Sequence, residues 1–119
     1  LCAGAAAKAA SFGLTPSDRC LGLPAAFHVY HVGHLLMTLA SGGSMVCPPG
    51  ADAESALRLL EAFRPTRLTA APAMLRAIVD RAGTAPERQR PGRGSLRMVH
   101  SGAASLPPAL LAEIEAALG

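Results

Sequence analysis

The chain predicts an α/β layer fold with a mainly parallel sheet, and three observations point there. Short apolar runs alternate with helical patterns along the whole length, the breaks between them carry Gly, Pro and Asp, and no internal repeat is present. With 119 residues there is room for one domain and one modest core. Half the residues are apolar and 16% are charged, a globular balance rather than a disordered one. Aromatics make up 3% and Trp is absent, so the core is expected to be aliphatic, built from Leu, Val, Met and some of the 25 Ala.

Each element has its own local cause. Cys2 to Phe12 is nearly all Ala, and Gly13 follows, which predicts a helix with a left-handed cap. Thr15-Pro16-Ser17-Asp18 is turn chemistry, and Arg19 to Leu23 is a short buried strand. Phe27 to Ala40 is dense in apolar residues and stops at Gly42-Gly43, so it reads as a largely buried helix. Ser44 to Cys47 reads as a second strand, closed by Pro48-Pro49-Gly50. Asp52 offers an N-cap to a helix whose Ala56, Leu57, Leu60 and Phe63 share one face; Pro65 ends it. Thr66 to Ala71 is a third strand. Pro72 opens the next helix, striped by Leu75, Ile78 and Val79. Ser95 to His100 is a fourth strand turning at Ser101-Gly102, and Pro107-Pro108 opens a last helix with Leu110, Leu111, Ile114 and Leu118 on one side.

Charge and cysteine narrow the function classes. Ten of the eleven basic residues are Arg, and Arg88, Arg90, Arg93 and Arg97 cluster beside Pro91, Gly92 and Gly94. No aromatic interleaves them, so the stacking platform of a single-strand binder is missing, and a solvated, flexible loop over about 83–94 is expected in place of a nucleic-acid site. Cys2, Cys20 and Cys47 are odd in number and form no Cys-x-x-Cys pair; three buried thiols in a reducing compartment, the cytoplasm, are expected. No run of 18 apolar residues predicts a membrane span.

His28, His31 and His34 recur at three-residue steps, which spread them over roughly 120° of a helix surface. A metal needs converging ligands, and no Asp or Glu lies between Asp18 and Asp52, so no metal site is expected; the histidines are read as lining a polar pocket. Val99-His100-Ser101-Gly102 lacks the first Gly of a nucleophile elbow. Ser41-Gly42-Gly43-Ser44 lacks the Lys of a phosphate loop. In an open α/β sheet ligands bind beyond the carboxyl ends of strands. Two such ends stand out: Leu23 to Tyr30, with aromatic and imidazole groups, and His100 to Pro107, whose small residues let a flat ligand approach the backbone. Together they predict half a pocket.

At those stretches the chain resembles the AMP-forming acyl-CoA synthetase and adenylate-forming ligase family, and the match runs in order through nearly all the chain. Leu14 to Arg19 is similar to the family's lead-in, Leu23-Pro24 through Tyr30 to its Leu-Pro…His motif, and Gly42 to Val46 and Arg64 to Pro72 to its middle strands. Ser95-Leu96-Arg97 with Ser101-Gly102-Ala103-Ala104 is similar to its Ser-Leu-Arg…Ser-Gly-Gly-Ala segment. Val46 to Gly50 and Ala104 to Pro108 lean toward an oxalate-CoA-ligase-like branch.

The resemblance implies an ATP- and Mg2+-dependent enzyme that activates a carboxylic acid as acyl-AMP and passes it to coenzyme A or a carrier thiol. It implies a substrate wall at Phe27, His28, Tyr30, Ser101 and Gly102, and a nucleotide wall at Gly102, Ala103 and Ala104. Phe27 stands where the family's His falls and His28 one place later, so either could face the substrate; Ser105 replaces a common Pro. The family's phosphate loop would precede Leu1, and its Thr-Glu motif and catalytic Lys would follow Gly119. The chain is therefore expected to be an internal segment of the AMP-binding domain, with no complete catalytic set, inactive alone and prone to self-association. The alternative is a non-catalytic α/β binding or scaffold module.

Overall fold

The computed structural model describes residues 2–50, 52–83, 86, 91–102 and 104–118, apart from the side chain of Cys2. Among the described residues nine elements alternate as expected: α1 (Cys2–Ser11), β1 (Arg19–Gly22), α2 (Val29–Ala40), β2 (Ser44–Val46), α3 (Ala53–Phe63), β3 (Arg67–Ala70), α4 (Pro72–Ala82), β4 (Met98–Ser101) and α5 (Pro108–Leu118). The four strands form one all-parallel sheet in the order β2-β1-β3-β4. Gly13 follows α1 at φ 61°, the left-handed conformation that only glycine takes without steric cost. Asp52 caps α3 by accepting a 2.8 Å hydrogen bond from the Ser55 backbone.

The register explains why the sheet has two unlike faces. Leu21, Leu68 and Val99 are aligned across β1, β3 and β4. On that face Leu21, Leu23, Leu68 and Ala70 pack with Ala56 and Leu60 of α3, Leu75, Ile78 and Val79 of α4, and Leu110, Ile114 and Leu118 of α5. This is the dry core, and each fully buried Leu or Ile in it contributes about 1.5–3 kcal/mol. The residues between them, Cys20-Arg67-Met98 and Gly22-Thr69-His100, form the rows of the opposite face. There α2 lies on the sheet and α1 packs against α2, with polar contacts between the layers. Thr38 of α2 donates to Cys20 Sγ at 3.4 Å, and Arg67 donates to the Gly13 carbonyl at 2.8 Å.

Three expectations are corrected. Phe63 is exposed rather than part of the core stripe, because α3 ends there and Arg64, at φ 45°, turns the chain away. The fourth strand begins at Met98, not Ser95, since Ser95 and Leu96 still bond back to the Gly92 carbonyl in a turn. Of the thiols, Cys20 is buried but Cys47, just past an edge strand, is exposed. Arg97, beyond the expected loop, is mostly exposed and reaches Asp18, while Arg88 and Arg90 lie outside the described residues.

Candidate functional site

The carboxyl ends of β1, β3 and β4 lie side by side, and the chain leaving β1 bends back over them. Leu23 is held to the sheet by its N–H on the Thr69 carbonyl at 3.0 Å, and the His28 N–H closes a turn onto Ala25 at 2.9 Å. His28 itself is extended (φ −78°, ψ 134°), so α2 starts at Val29 rather than Phe27. The Phe27 side chain is 90% exposed, and His28 is exposed as well. Tyr30 behaves differently. Its ring turns inward and lies on Gly102, where a Cβ would come within 2.5 Å of Cζ. That contact joins the two stretches singled out by sequence.

Behind Tyr30 stands a cluster of rings. His34 meets Tyr30 edge-on at 4.7 Å between centroids and His100 at 5.2 Å, and His100 meets Phe12 at 5.0 Å. Thr69 Oγ1 lies 3.3 Å from His34 Nδ1, and Arg67 donates toward His100 Nε2 at 3.4 Å. Burial, helped by the charges of His100, His31 and Lys8, holds His34 down to about 4. Burial and then Arg67 lower His100 too, so both imidazoles are neutral at neutral pH. Burial pushes the Tyr30 phenol up, keeping it protonated. The rings behind Gly102 are thus uncharged at neutral pH.

Ser101 ends β4 half-buried, and its Oγ is shielded from solvent with no hydrogen-bond partner among the described residues. A buried hydroxyl left open is costly unless something else satisfies it, and it sits at a strand's carboxyl end. Ala104 is exposed, and Ala103 lies outside the described residues. Of the proposed substrate residues, then, Tyr30, Ser101 and Gly102 come together at the strand ends, whereas Phe27 and His28 project from the loop beside them. Among the described residues no group of three or more His, Cys, Asp or Glu is placed to hold a metal ion.

Sequence reasoning missed the polar cluster at the opposite, amino ends of the strands. Asp18 is buried and accepts from Thr66 Oγ1 at 2.6 Å and from the Thr15 backbone at 2.9 Å. Arg67 Nε lies 3.4 Å from the same carboxylate and Arg97 also bonds it. Burial alone raises a carboxylate; the donors from Thr66, Thr15 and Arg97 and the charge of Arg67 outweigh it and set Asp18 well below the usual range. The signal was present: an Arg inside the otherwise buried strand Arg67-Leu68-Thr69-Ala70 requires a buried anion.

Comparison with known proteins identifies the family. The family model described as AMP-binding enzyme matches residues 1–119. The chain belongs to the AMP-binding enzyme family. An oxalate–CoA ligase of Arabidopsis thaliana is 32% identical over 113 residues, which cover 92% of this chain and 21% of that protein. The chain thus spans about a fifth of the length of that curated relative. Among solved structures, o-succinylbenzoate coenzyme A synthetase of Bacillus subtilis in complex with AMP is 23% identical with TM-score 0.76, covering 95% of this chain and 22% of that one. ATP-bound MatB of Rhodopseudomonas palustris is 22% identical with TM-score 0.76, covering 98% and 23%. At these identities the solved structures show a shared fold, which agrees with the parallel sheet described above.

Proposed function

We propose that this AMP-binding segment serves an ATP-dependent acid–thiol ligase, which activates a carboxylate as acyl-AMP and transfers the acyl group to coenzyme A or a carrier thiol. Within that enzyme the segment supplies part of the acyl and adenine walls and needs the rest of the polypeptide for catalysis. The observation that carries the reading is the packing of Tyr30 on Gly102, which brings the β1 and β4 ends to one place. Tyr30, His34 and His100 offer a backing of uncharged rings. Ser101 Oγ offers an unclaimed hydrogen-bonding group, and Gly102 lets a planar ligand approach the main chain. Phe27 and His28 extend the substrate wall from the loop, and Ala103 and Ala104 extend the nucleotide side. In this reading the protein works in the cytoplasm; no helix among the described residues is long and apolar enough to cross a membrane.

The test is carboxylate-dependent formation of AMP and pyrophosphate from ATP by the complete polypeptide, across fatty, aromatic and dicarboxylic acids. Acid-dependent AMP release supports the reading. ATP left intact with every acid, in a folded protein, overturns it.

A further inference from the structure

Outside the Tyr30 and Gly102 region, one pair of side chains has a chemical arrangement that neither packing nor ligase chemistry uses. Cys47, an exposed residue, follows the edge strand β2, and its Sγ lies 3.5 Å from Nε2 of His31. His31 is only 2% exposed, and its other nitrogen, Nδ1, is 2.7 Å from the Pro24 carbonyl. A carbonyl oxygen only accepts, so Nδ1 carries the ring proton and donates it there. Nε2 of the neutral ring then has a free lone pair, directed at the thiol.

The position of the ring is enforced by its surroundings. A Cβ at residue 22 would come within 3.0 Å of His31 Cε1 and 2.2 Å of the Met45 methyl, so glycine there leaves the space that both side chains fill. Nucleophile, base and a third group that orients the base are the parts of an activated thiol. Here they are Cys47, His31 and the Pro24 carbonyl, drawn from the segment just after β2, from α2 and from the loop after β1.

We propose that Cys47, with His31 as its base, is a reactive thiol that exchanges with small disulfides and is a site of mixed-disulfide modification. The Cys47 proton passes to His31 Nε2, and the thiolate sulfur attacks one sulfur of the incoming disulfide. A new S–S bond forms as the old one breaks, and the leaving thiolate takes the proton back from His31. Cys47 is oxidised and the departing half of the disulfide is reduced, so no other oxidant is needed. Cys20 has none of this: it is buried, and burial pushes its thiol up toward the unreactive protonated form. The proposal is independent of the ligase reading.

The experiment treats the complete native polypeptide with oxidised glutathione near neutral pH and maps the adducts by mass spectrometry of proteolytic fragments. The expected result is a glutathione adduct at Cys47, formed about tenfold or more faster than exchange with an unactivated peptide thiol at the same pH, with Cys20 unmodified. His31→Gln keeps an amide to meet the Pro24 carbonyl but removes the base, and is expected to bring the Cys47 rate down to that of the peptide thiol. A native Cys47 that reacts no faster than the peptide thiol overturns the proposal, and this comparison needs no variant to fold. An unchanged rate in folded His31→Gln overturns it equally.

Discussion

The ring of Tyr30 rests on Gly102, close enough that no side chain can be added at 102 without moving it. Tyr30 lies in the first turn of the second helix and Gly102 follows the last strand, so the contact ties the start of α2 to the carboxyl end of β4. It brings residues far apart in sequence into one wall.

That relationship predicts non-additivity. Gly102→Ala should displace the Tyr30 ring and destabilise the fold by about 1–3 kcal/mol, the usual cost of overfilling a packed contact. Once Tyr30→Ala has emptied the space, the same change at 102 should cost much less. A double-mutant cycle by urea unfolding measures the coupling; additive effects would mean the two residues are energetically independent.

Asp18 should be the most sensitive polar position. Asp18→Asn leaves Arg67 buried without its counter-ion and is expected to cost on the order of 3–5 kcal/mol, read as a lower urea midpoint. Arg97→Gln, at a mostly exposed partner, should cost far less. Similar losses for the two would contradict the central role given to the buried pair.

The histidine cluster predicts an acid limb. His34 has a folded-state value near 4 against 6.5 when unfolded, so between these the unfolded chain binds the extra proton. Its contribution to stability is full above 6.5 and is lost as pH falls toward 4; His100, lowered as well, adds in the same sense. Thermal midpoints should therefore drop over that range, and His34→Gln should flatten the drop. Asp18 acts lower down: its contribution is kept above its ordinary 3.8 and lost as pH falls beneath it. A profile unchanged by His34→Gln would refute the assignment.

Self-association is expected of these 119 residues expressed by themselves. Phe27 and Val29 are 90% and 81% exposed, Leu39 and Leu111 are about half so, and β2 and β4 are sheet edges. Light scattering should report dimers or larger species. A monomer with a cooperative melt would mean these faces need no cover.

Much of the fold was legible because local chemistry and tertiary structure agree. Gly13, Asp52 and Pro72 mark helix ends as their backbone and capping preferences require, and alternation alone orders the layers. The misplacements come from contacts that no local pattern carries. Ser95 and Leu96 look like strand but are held in a turn by the Gly92 carbonyl, and pairing with β3 begins only when the Arg97 N–H reaches the Thr66 carbonyl. At the candidate site, the two stretches could be named from small and aromatic residues at strand ends. That Tyr30 turns inward while Phe27 turns out could not, because the direction is set by space over Gly102 and by the rings of His34 and His100. The Asp18–Arg67 pair was half visible, as a charge inside a buried strand whose partner only the folded sheet supplies.

The most direct test of the account is a crystal structure of the complete polypeptide with a non-hydrolysable acyl-adenylate analogue. The account predicts the analogue at the carboxyl ends of β1 and β4, in contact with Tyr30, Ser101 and Gly102 and with the Ser101 hydroxyl hydrogen-bonded to it or to a water it holds. An analogue bound elsewhere, with Tyr30 and Gly102 untouched, would contradict it.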